Sequence, residues 1–344
     1  MFKYVMKRVV LALATTFIII SLTFFAVKAL PVQRPIGQEP QQIAYCENQV
    51  HLGYFLSSKL NLDEKYGSYI FKTSDASPTY YYQVPTHIQY VRWLKNIFTK
   101  WEWGVSEQLQ PNVAVTVIIG EGLSYSIRLN IIATLFSVPI GILLGIWAAL
   151  KKNTLTDHII STLVMVFISI PGFVTILVSI LIFGYKLGWL PTKWPNPGAP
   201  LNKQILGYII PTFCLSFGSI CGYCRFVRAE LCEVMESDYL LLARTKGLTR
   251  SQAIVRHALR NAMVPIVPSI LSEVIGILGG SMILERLYGI PGIGKLFTEA
   301  LTAKDYNVLF VDMSIFTTIS LLAGVVLDLS YGFIDPRIRM GAKK

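Results

Sequence analysis

The chain has 344 residues, of which 53% are hydrophobic and 15% charged, with a mean hydropathy of +0.52. That balance excludes an ordinary soluble globular protein and points to the bilayer as solvent. The net charge is +11 and there are five cysteines, an odd number that argues against a disulfide framework.

In chain order, charge-free runs cover Val9–Val27, Leu129–Leu150, Ile159–Tyr185, Gln204–Cys224 and Met313–Leu327; Asn261–Leu284 is apolar apart from Glu273. A spanning helix needs about 20 mostly apolar residues, so the sequence predicts an all-α membrane protein of six transmembrane helices. Lys3, Lys7 and Arg8 precede the first run. Its apolar core exceeds that of a signal peptide and no small-x-small cleavage site follows Leu30, so it reads as an uncleaved anchor.

Basic residues set the orientation. Placing the N-terminus inside collects Lys3, Lys7, Arg8, Lys151, Lys152, Arg225, Arg228, Arg244, Lys246, Arg250, Arg256, Arg260, Arg337, Arg339, Lys343 and Lys344 on one side, about half of the 31 Lys and Arg. This bias predicts a multi-pass protein with both termini cytoplasmic. The positive charge is then topological and calls for no nucleic acid.

Three regions follow: 1–30 as the cytoplasmic N-terminus and first helix, 31–110 as an extracellular insert, and 111–344 as the core, with a cytoplasmic loop at 225–262. The insert carries Tyr80-Tyr81-Tyr82, Trp93, Trp101 and Trp103, and equal numbers of acidic and basic residues. A small folded domain and a spacer with an interfacial aromatic belt both fit that composition. Pro111–Ser126 suits a segment lying along the membrane surface. Pro191–Pro200, with four prolines and Trp194, reads as a rigid external turn.

Several motifs suggest chemistry. Gly289-Ile-Pro-Gly-Ile-Gly294-Lys295 matches seven positions of a phosphate-binding loop, but Leu296 replaces the hydroxyl residue and the segment follows a membrane helix rather than a strand. Cys221-Gly-Tyr-Cys224 has metal spacing without a second pair or histidine to complete a ligand set. No nucleophile and base assemble, so neither a catalytic nor a metal site is predicted. Glu273 is costly near mid-membrane and should face a partner or a wet cavity. Pro171 in the third run, and Pro265 and Pro268 in the fifth, predict kinks. Ser169, Pro171, Ser272 and Glu273 are the candidates for a substrate pathway.

The polar stretch 238–261 between two spans is the strongest signal. Gly247 should end one short helix. A second should follow, with Arg256/Arg260 and His257/Asn261 as i,i+4 pairs. Leu240, Leu241, Leu242, Leu248, Ile254, Val255 and Leu259 form an apolar set that a merely solvated loop would not need.

Ala243-Arg-Thr-Lys-Gly247 and Arg256-His-Ala-Leu-Arg-Asn261 closely resemble the cytoplasmic loop of ABC importer permeases of the peptide/nickel subfamily. The general importer loop reads Glu-Ala-Ala, three residues, Gly, nine residues, Ile-x-Leu-Pro. Here Leu241, Leu242 and Ala243 replace Glu-Ala-Ala, Gly247 matches, and His257, Leu259 and Arg260 replace Ile, Leu and Pro. Gly279-Gly280, Glu285, Tyr288–Gly294, Asp305-Tyr306 and Asp328–Arg339 resemble later signatures of the same subfamily. The N-terminal Lys-Arg with its first span, and Gly141-x3-Gly145 ending in Ala148-Ala149, resemble the first permease of oligopeptide and dipeptide systems. The interior of the insert lies outside the resemblance.

The resemblance implies a type I ABC importer permease fold with an extracellular insert between helices 1 and 2. It implies a second homologous permease, two ABC ATPases, an extracellular or lipid-anchored peptide-binding protein, and a bacterial cell membrane with its lipids. ATP and Mg would belong to the ATPases, with no cofactor on this chain. Ala243, Arg244, Gly247 and Leu248 would dock the ATPase, and His257, Arg260 and Asn261 would shape the second helix. Nickel or another small solute is an alternative cargo within the subfamily. An ATPase-independent channel or secondary transporter is the alternative outside it.

Overall fold

The computed structural model describes residues 2–30, 35 and 37–334. Helix α1 (Phe2–Lys28) is followed by α2 (Glu39–Leu52), β1 (Phe55–Ser58), the short α3 (Asp63–Tyr66), β2 (Phe71–Lys72), β3 (Tyr80–Gln83) and α4 (Thr86–Lys100). The described elements that follow are all helices, among them α5 (Val115–Leu150), α6 (Leu155–Ile168), α7 (Gly172–Ser179), α8 (Leu201–Met235), α9 (Asp238–Thr245), α10 (Arg250–Ala253), α11 (Leu259–Gly276), α12 (Met282–Tyr288), α13 (Ile293–Ala303) and α14 (Tyr306–Ile334). Among the described residues, five segments are long and apolar enough to cross a bilayer: Val5–Lys28, Val115–Leu150, Leu201–Met235, Arg250–Gly279 and Tyr306–Ser330. The sixth is a broken span, Leu155–Ile168 and Gly172–Lys186, bent by 96°.

The chain divides into two compact units, Met1–Gly122 with Lys295–Leu322, and Leu123–Gly294 with Ala323–Lys344. The first contains the insert, which adds a three-stranded antiparallel sheet, order β1-β3-β2, that the all-helical expectation lacked. Strand β3 carries the tyrosine run in its centre, with Tyr81 and Tyr82 both buried. The Tyr82 hydroxyl donates to Asn61 Oδ1 at 3.0 Å and accepts from the Leu62 amide at 2.7 Å. Those bonds satisfy the polar end of a ring whose body fills the core. Helix α2 ends at Gly53, whose φ of +81° permits the left-handed turn into β1. Arg92 and Asn96 of α4 donate to the carbonyls of Gly53 and Leu52 at 2.6 and 3.2 Å. Aromatic rings complete this core: Phe24 of α1 lies 5.1 Å from Trp93, and Trp93 lies 5.4 Å from Phe310 of α14.

In the second unit, glycines bring two spans together. A Cβ on Gly141 would lie 2.7 Å from Tyr223 Cβ and 2.9 Å from the Ile220 carbonyl; one on Gly145 would lie 2.7 Å from the Cys224 carbonyl. Small residues one turn apart let α5 and α8 approach backbone to backbone, which is how helices gain packing energy in lipid. The first half of the Pro191–Pro200 turn is held by Tyr288: Trp194 N–H donates to the Tyr288 carbonyl and the Tyr288 hydroxyl to the Pro191 carbonyl, each at 2.8 Å. All five cysteines are reduced and buried, Cys221 and Cys224 on α8 among them.

Three boundaries move. Helix α5 begins at Val115 and continues into the second span, so the part of 111–126 from Val115 on is not a separate surface segment. Helix α8 runs eleven residues past Cys224 to Met235 because Arg225, Arg228, Glu230 and Glu233 are good helix formers. The fifth span starts at Arg250 rather than Asn261.

Candidate functional site

The loop after α8 is a compact knob. Ser237 precedes α9, and Asp238 occupies its first turn, where a carboxylate favours the helix dipole. Gly247, at φ +94°, reverses the chain after α9, and its amide donates to the Arg244 carbonyl at 3.0 Å. Thr249 then caps α10 through a reciprocal pair with Gln252: Gln252 N–H to Thr249 Oγ1 at 3.3 Å and Thr249 N–H to Gln252 Oε1 at 3.2 Å. Lys152 and Glu236 pair at the knob's base.

The second helix is not free-standing. Helix α10 passes through a π-helical turn, Ile254–Ala258, straight into α11. Arg256 and His257 sit on that turn, so their spacing to Arg260 and Asn261 is distorted from the simple i,i+4 pairing expected. The second arm of the knob is thereby continuous with the fifth span.

The apolar set divides by role. Leu240 and Ile254 are buried with Ala149, Leu231, Ala253, Ala258 and Ala262, and Leu248 packs against them. Leu241, Leu242 and Val255 stay 62%, 56% and 65% exposed. Among the predicted docking residues, Ala243 and Leu248 are partly buried, while Arg244, Gly247, His257, Arg260 and Asn261 are exposed. The knob thus exposes Leu241, Leu242 and Val255 together with Arg244 and Arg260, more apolar surface than a solvated loop needs.

The pathway candidates are less convergent. Ser169 and Pro171 lie at the break of the third span, where Pro171 removes a helical donor. Ser169 Oγ donates to the Met165 carbonyl at 2.8 Å, one turn back on its own helix. A cavity of about 300 Å³ beside the break is lined by Ile168, Ile170, Gly172, Phe217 and Ser281, but by none of the four candidates. Glu273 is partly buried and accepts from Ser137 Oγ at 3.3 Å, with the Tyr223 hydroxyl as a second neighbour. Ser272 beside it is exposed. Pro265 and Pro268 lie inside α11, within one continuous span.

The resemblance to a phosphate-binding loop has a different physical content. The turn at Gly289–Gly294 closes around the buried carboxylate of Glu285. Gly294 N–H donates to Oε2 at 2.8 Å, Ser126 Oγ to Oε1 at 2.7 Å, and Ser281 N–H to Oε1 at 3.2 Å. A Cβ at Gly292 would fall inside contact distance of that carboxylate. The Gly294 amide, which a phosphate-binding loop would offer to a ligand, already bonds an internal carboxylate.

Two buried acidic residues lie outside the sequence candidates. Asp157 of α6 is buried in a fork with Arg228 of α8: Nε to Oδ1 at 2.6 Å and Nη2 to Oδ2 at 2.8 Å. The Asn153 amide and Ser161 hydroxyl supply further bonds at 3.0 and 3.2 Å. No sequence spacing could pair residues 71 positions apart. Asp312, inside the sixth span, is buried with Oδ1 lacking a partner.

Known proteins give this geometry a family. A model described as binding-protein-dependent transport system inner membrane component matches residues 141–340. The chain is 30% identical over 343 residues to the oligopeptide transport system permease protein OppB of Haemophilus influenzae, covering 98% of this chain and 100% of that one. It is 32% identical over 340 residues to the dipeptide transport system permease protein DppB of Lactococcus lactis, covering 99% and 100%. With DppB of Bacillus subtilis the identity is 30% over 344 residues, covering the whole of both. A family match across most of the chain, carried by relatives of equal length, leaves one assignment: this chain belongs to the binding-protein-dependent transport system inner membrane components, the non-catalytic permeases of ABC importers.

Proposed function

We propose that this chain is the first of two permease subunits of an ATP-driven importer for oligopeptides or dipeptides. It would form the translocation pathway with a second, homologous permease. Two ATPase subunits would bind on the cytoplasmic side, and an extracellular or lipid-anchored binding protein would deliver the peptide. Both termini lie in the cytoplasm in this reading, which rests on the distribution of lysine and arginine.

The observation that carries the proposal is the knob at 238–261. It exposes Leu241, Leu242 and Val255 beside Arg244 and Arg260, and it is continuous with a membrane span. Closure of two ATPases on ATP would move the knobs of both permeases toward each other, and the rigid junction of α10 with α11 would carry that motion into the bilayer. Ala243, Arg244, Gly247 and Leu248 dock, while His257, Arg260 and Asn261 hold the second arm. Glu273, Ser272 and the break at Ser169 and Pro171 contribute to the pathway.

Purification of the chain in mild detergent from its native cell should bring down a second permease and two ATPases, and peptide uptake by proteoliposomes of the complex should require ATP and binding protein. Uptake by the purified chain alone would instead identify a channel or secondary transporter.

A further inference from the structure

We propose that α4 of the insert is a membrane-interface helix, whose apolar arc of exposed Val91 and Phe98 with half-buried Leu94 between them and Tyr90, and exposed Trp101 at the helix end, is seated in the lipid leaflet from which the insert emerges. Helix α4 meets the first span through side chains. The hydroxyls of Tyr90 and Ser21 lie 2.7 Å apart. Tyr90 also stands 5.4 and 5.0 Å from the rings of Phe24 and Phe25. Ser21 precedes Lys28, the last residue of the span, by seven positions, which is about 10 Å at 1.5 Å per residue. Helix α4 therefore touches α1 well below the span's end, at a depth where the surroundings are acyl chain and headgroup boundary.

Around α4, successive residues turn by about 100°. Gln89, Trp93 and Ile97 point into the insert's core and are buried. Tyr90 lies next on the wheel, facing α1. Continuing in the same direction come Leu94, Phe98 and Val91, and beyond them Lys95, Thr99 and Arg92. The exposed sector is strongly apolar: Val91 is 65%, Phe98 78% and Trp101 70% exposed. It is also continuous with the lipid-facing side of α1, because Phe25, itself exposed, is the ring that touches Tyr90. Lys95 borders the sector, where it can reach headgroup phosphates while its stem lies on the apolar surface. An aqueous face would leave three large apolar side chains in water without reason, whereas the bilayer is already the solvent one helix away.

The native cysteines are buried, so a single cysteine added at the surface can be labelled selectively with a nitroxide. Val91→Cys, Phe98→Cys, Lys95→Cys and Lys59→Cys are made in the full transporter and reconstituted in nanodiscs. Collision with oxygen, which partitions into lipid, is compared with collision with a water-soluble nickel chelate. The oxygen-to-nickel ratio at Val91→Cys and Phe98→Cys should exceed that at Lys59→Cys several-fold, with Lys95→Cys between them. A ratio equal to that of Lys59→Cys would place the arc in water and overturn the proposal. Exclusion of both reagents, or failure of the thiols to label, would mean that another protein chain covers the arc, and would overturn it equally.

Discussion

Asp305 and Ser106 are the joint that fastens the insert to the last span. Ser106 Oγ donates to Asp305 Oδ2 at 2.5 Å, and the amides of Glu107, Gln108 and Leu109 donate to the same oxygen at 3.1, 2.9 and 3.1 Å. Both residues are fully buried. The other oxygen, Oδ1, accepts from Val308 N–H at 3.3 Å and so caps α14. A hydrogen bond to a buried charge is worth about 1.5–3 kcal/mol, and one carboxylate here organises five donors. Asp305→Asn keeps the shape but places an amide where only acceptors fit. We expect a loss of about 2–4 kcal/mol, read as a lowered unfolding temperature in detergent, with Ser106→Ala costing less. An unchanged temperature for Asp305→Asn would refute the joint.

Glu107, next to that joint, gives the first unit a pH dependence. It accepts from the Tyr45 hydroxyl at 2.9 Å, and the pair lines a cavity of about 50 Å³ together with Lys28, Tyr54 and Trp93. Burial pushes its carboxyl above the ordinary range, against the opposing pull of Lys28 and the Tyr45 bond. A raised folded value means that the group's contribution is complete below the unfolded value and is lost as pH rises through the folded one. Thermal unfolding from about pH 4 to 8 should show stability falling across that upper range, and Glu107→Gln should flatten the slope. A slope of opposite sign would contradict the burial argument.

Gly145 tests the close approach of α5 and α8. Its absent side chain admits the Cys224 carbonyl and Val227. Gly145→Leu has no room and should cost about 1–3 kcal/mol or more as the helices separate. Size-exclusion chromatography should show loss of monodisperse protein, while Gly324→Ala, where nothing lies within 4 Å, should behave as wild type.

Arg228 and Asp157 test a different kind of contact. Arg228→Met leaves a buried carboxylate unpaired, at a cost of about 3 kcal/mol, the low end for such pairs because Arg228 is partly exposed. Adding Asp157→Asn should restore much of the loss. A double variant no more stable than Arg228→Met would show that the two residues do not act as a pair.

What was legible in the sequence follows from how far each signal reaches along the chain. Hydropathy is local, so the spans could be placed from the apolar runs, and Gly247 could be placed because a chain reversal after a short helix needs a positive φ. Helix ends were misplaced at Cys224 and Asn261, because amphipathic helix continues past the lipid boundary on residues such as Arg228 and Arg256. The Asp305–Ser106 joint and the Asp157–Arg228 fork are invisible to any local pattern, since tertiary contact alone pairs them. The Gly289–Gly294 turn shows the reverse case: its spacing imitates a phosphate-binding loop that its context argues against, and in the fold its Gly294 amide bonds the Glu285 carboxylate of the same chain.

Gly247 bears most directly on function. Its φ of +94° is open to glycine and strained for any residue with a Cβ, though a Cβ there would meet nothing within 4 Å. Gly247→Val should therefore leave the spans folded and alter only the angle between α9 and α10. Gly247→Pro adds a fixed φ near −65° and removes the amide that donates to Arg244. In both variants Leu241 and Leu242 would be turned relative to Val255, and the face proposed to dock would lose its shape. We expect the assembled transporter to hydrolyse ATP while peptide uptake falls by at least about tenfold, a difference that a change of about 1.4 kcal/mol in the productive docked state would produce. Uptake and hydrolysis measured on the same proteoliposomes decide the matter. If both variants transport normally, the knob does not transmit the stroke, and the coupling must pass through another part of the chain.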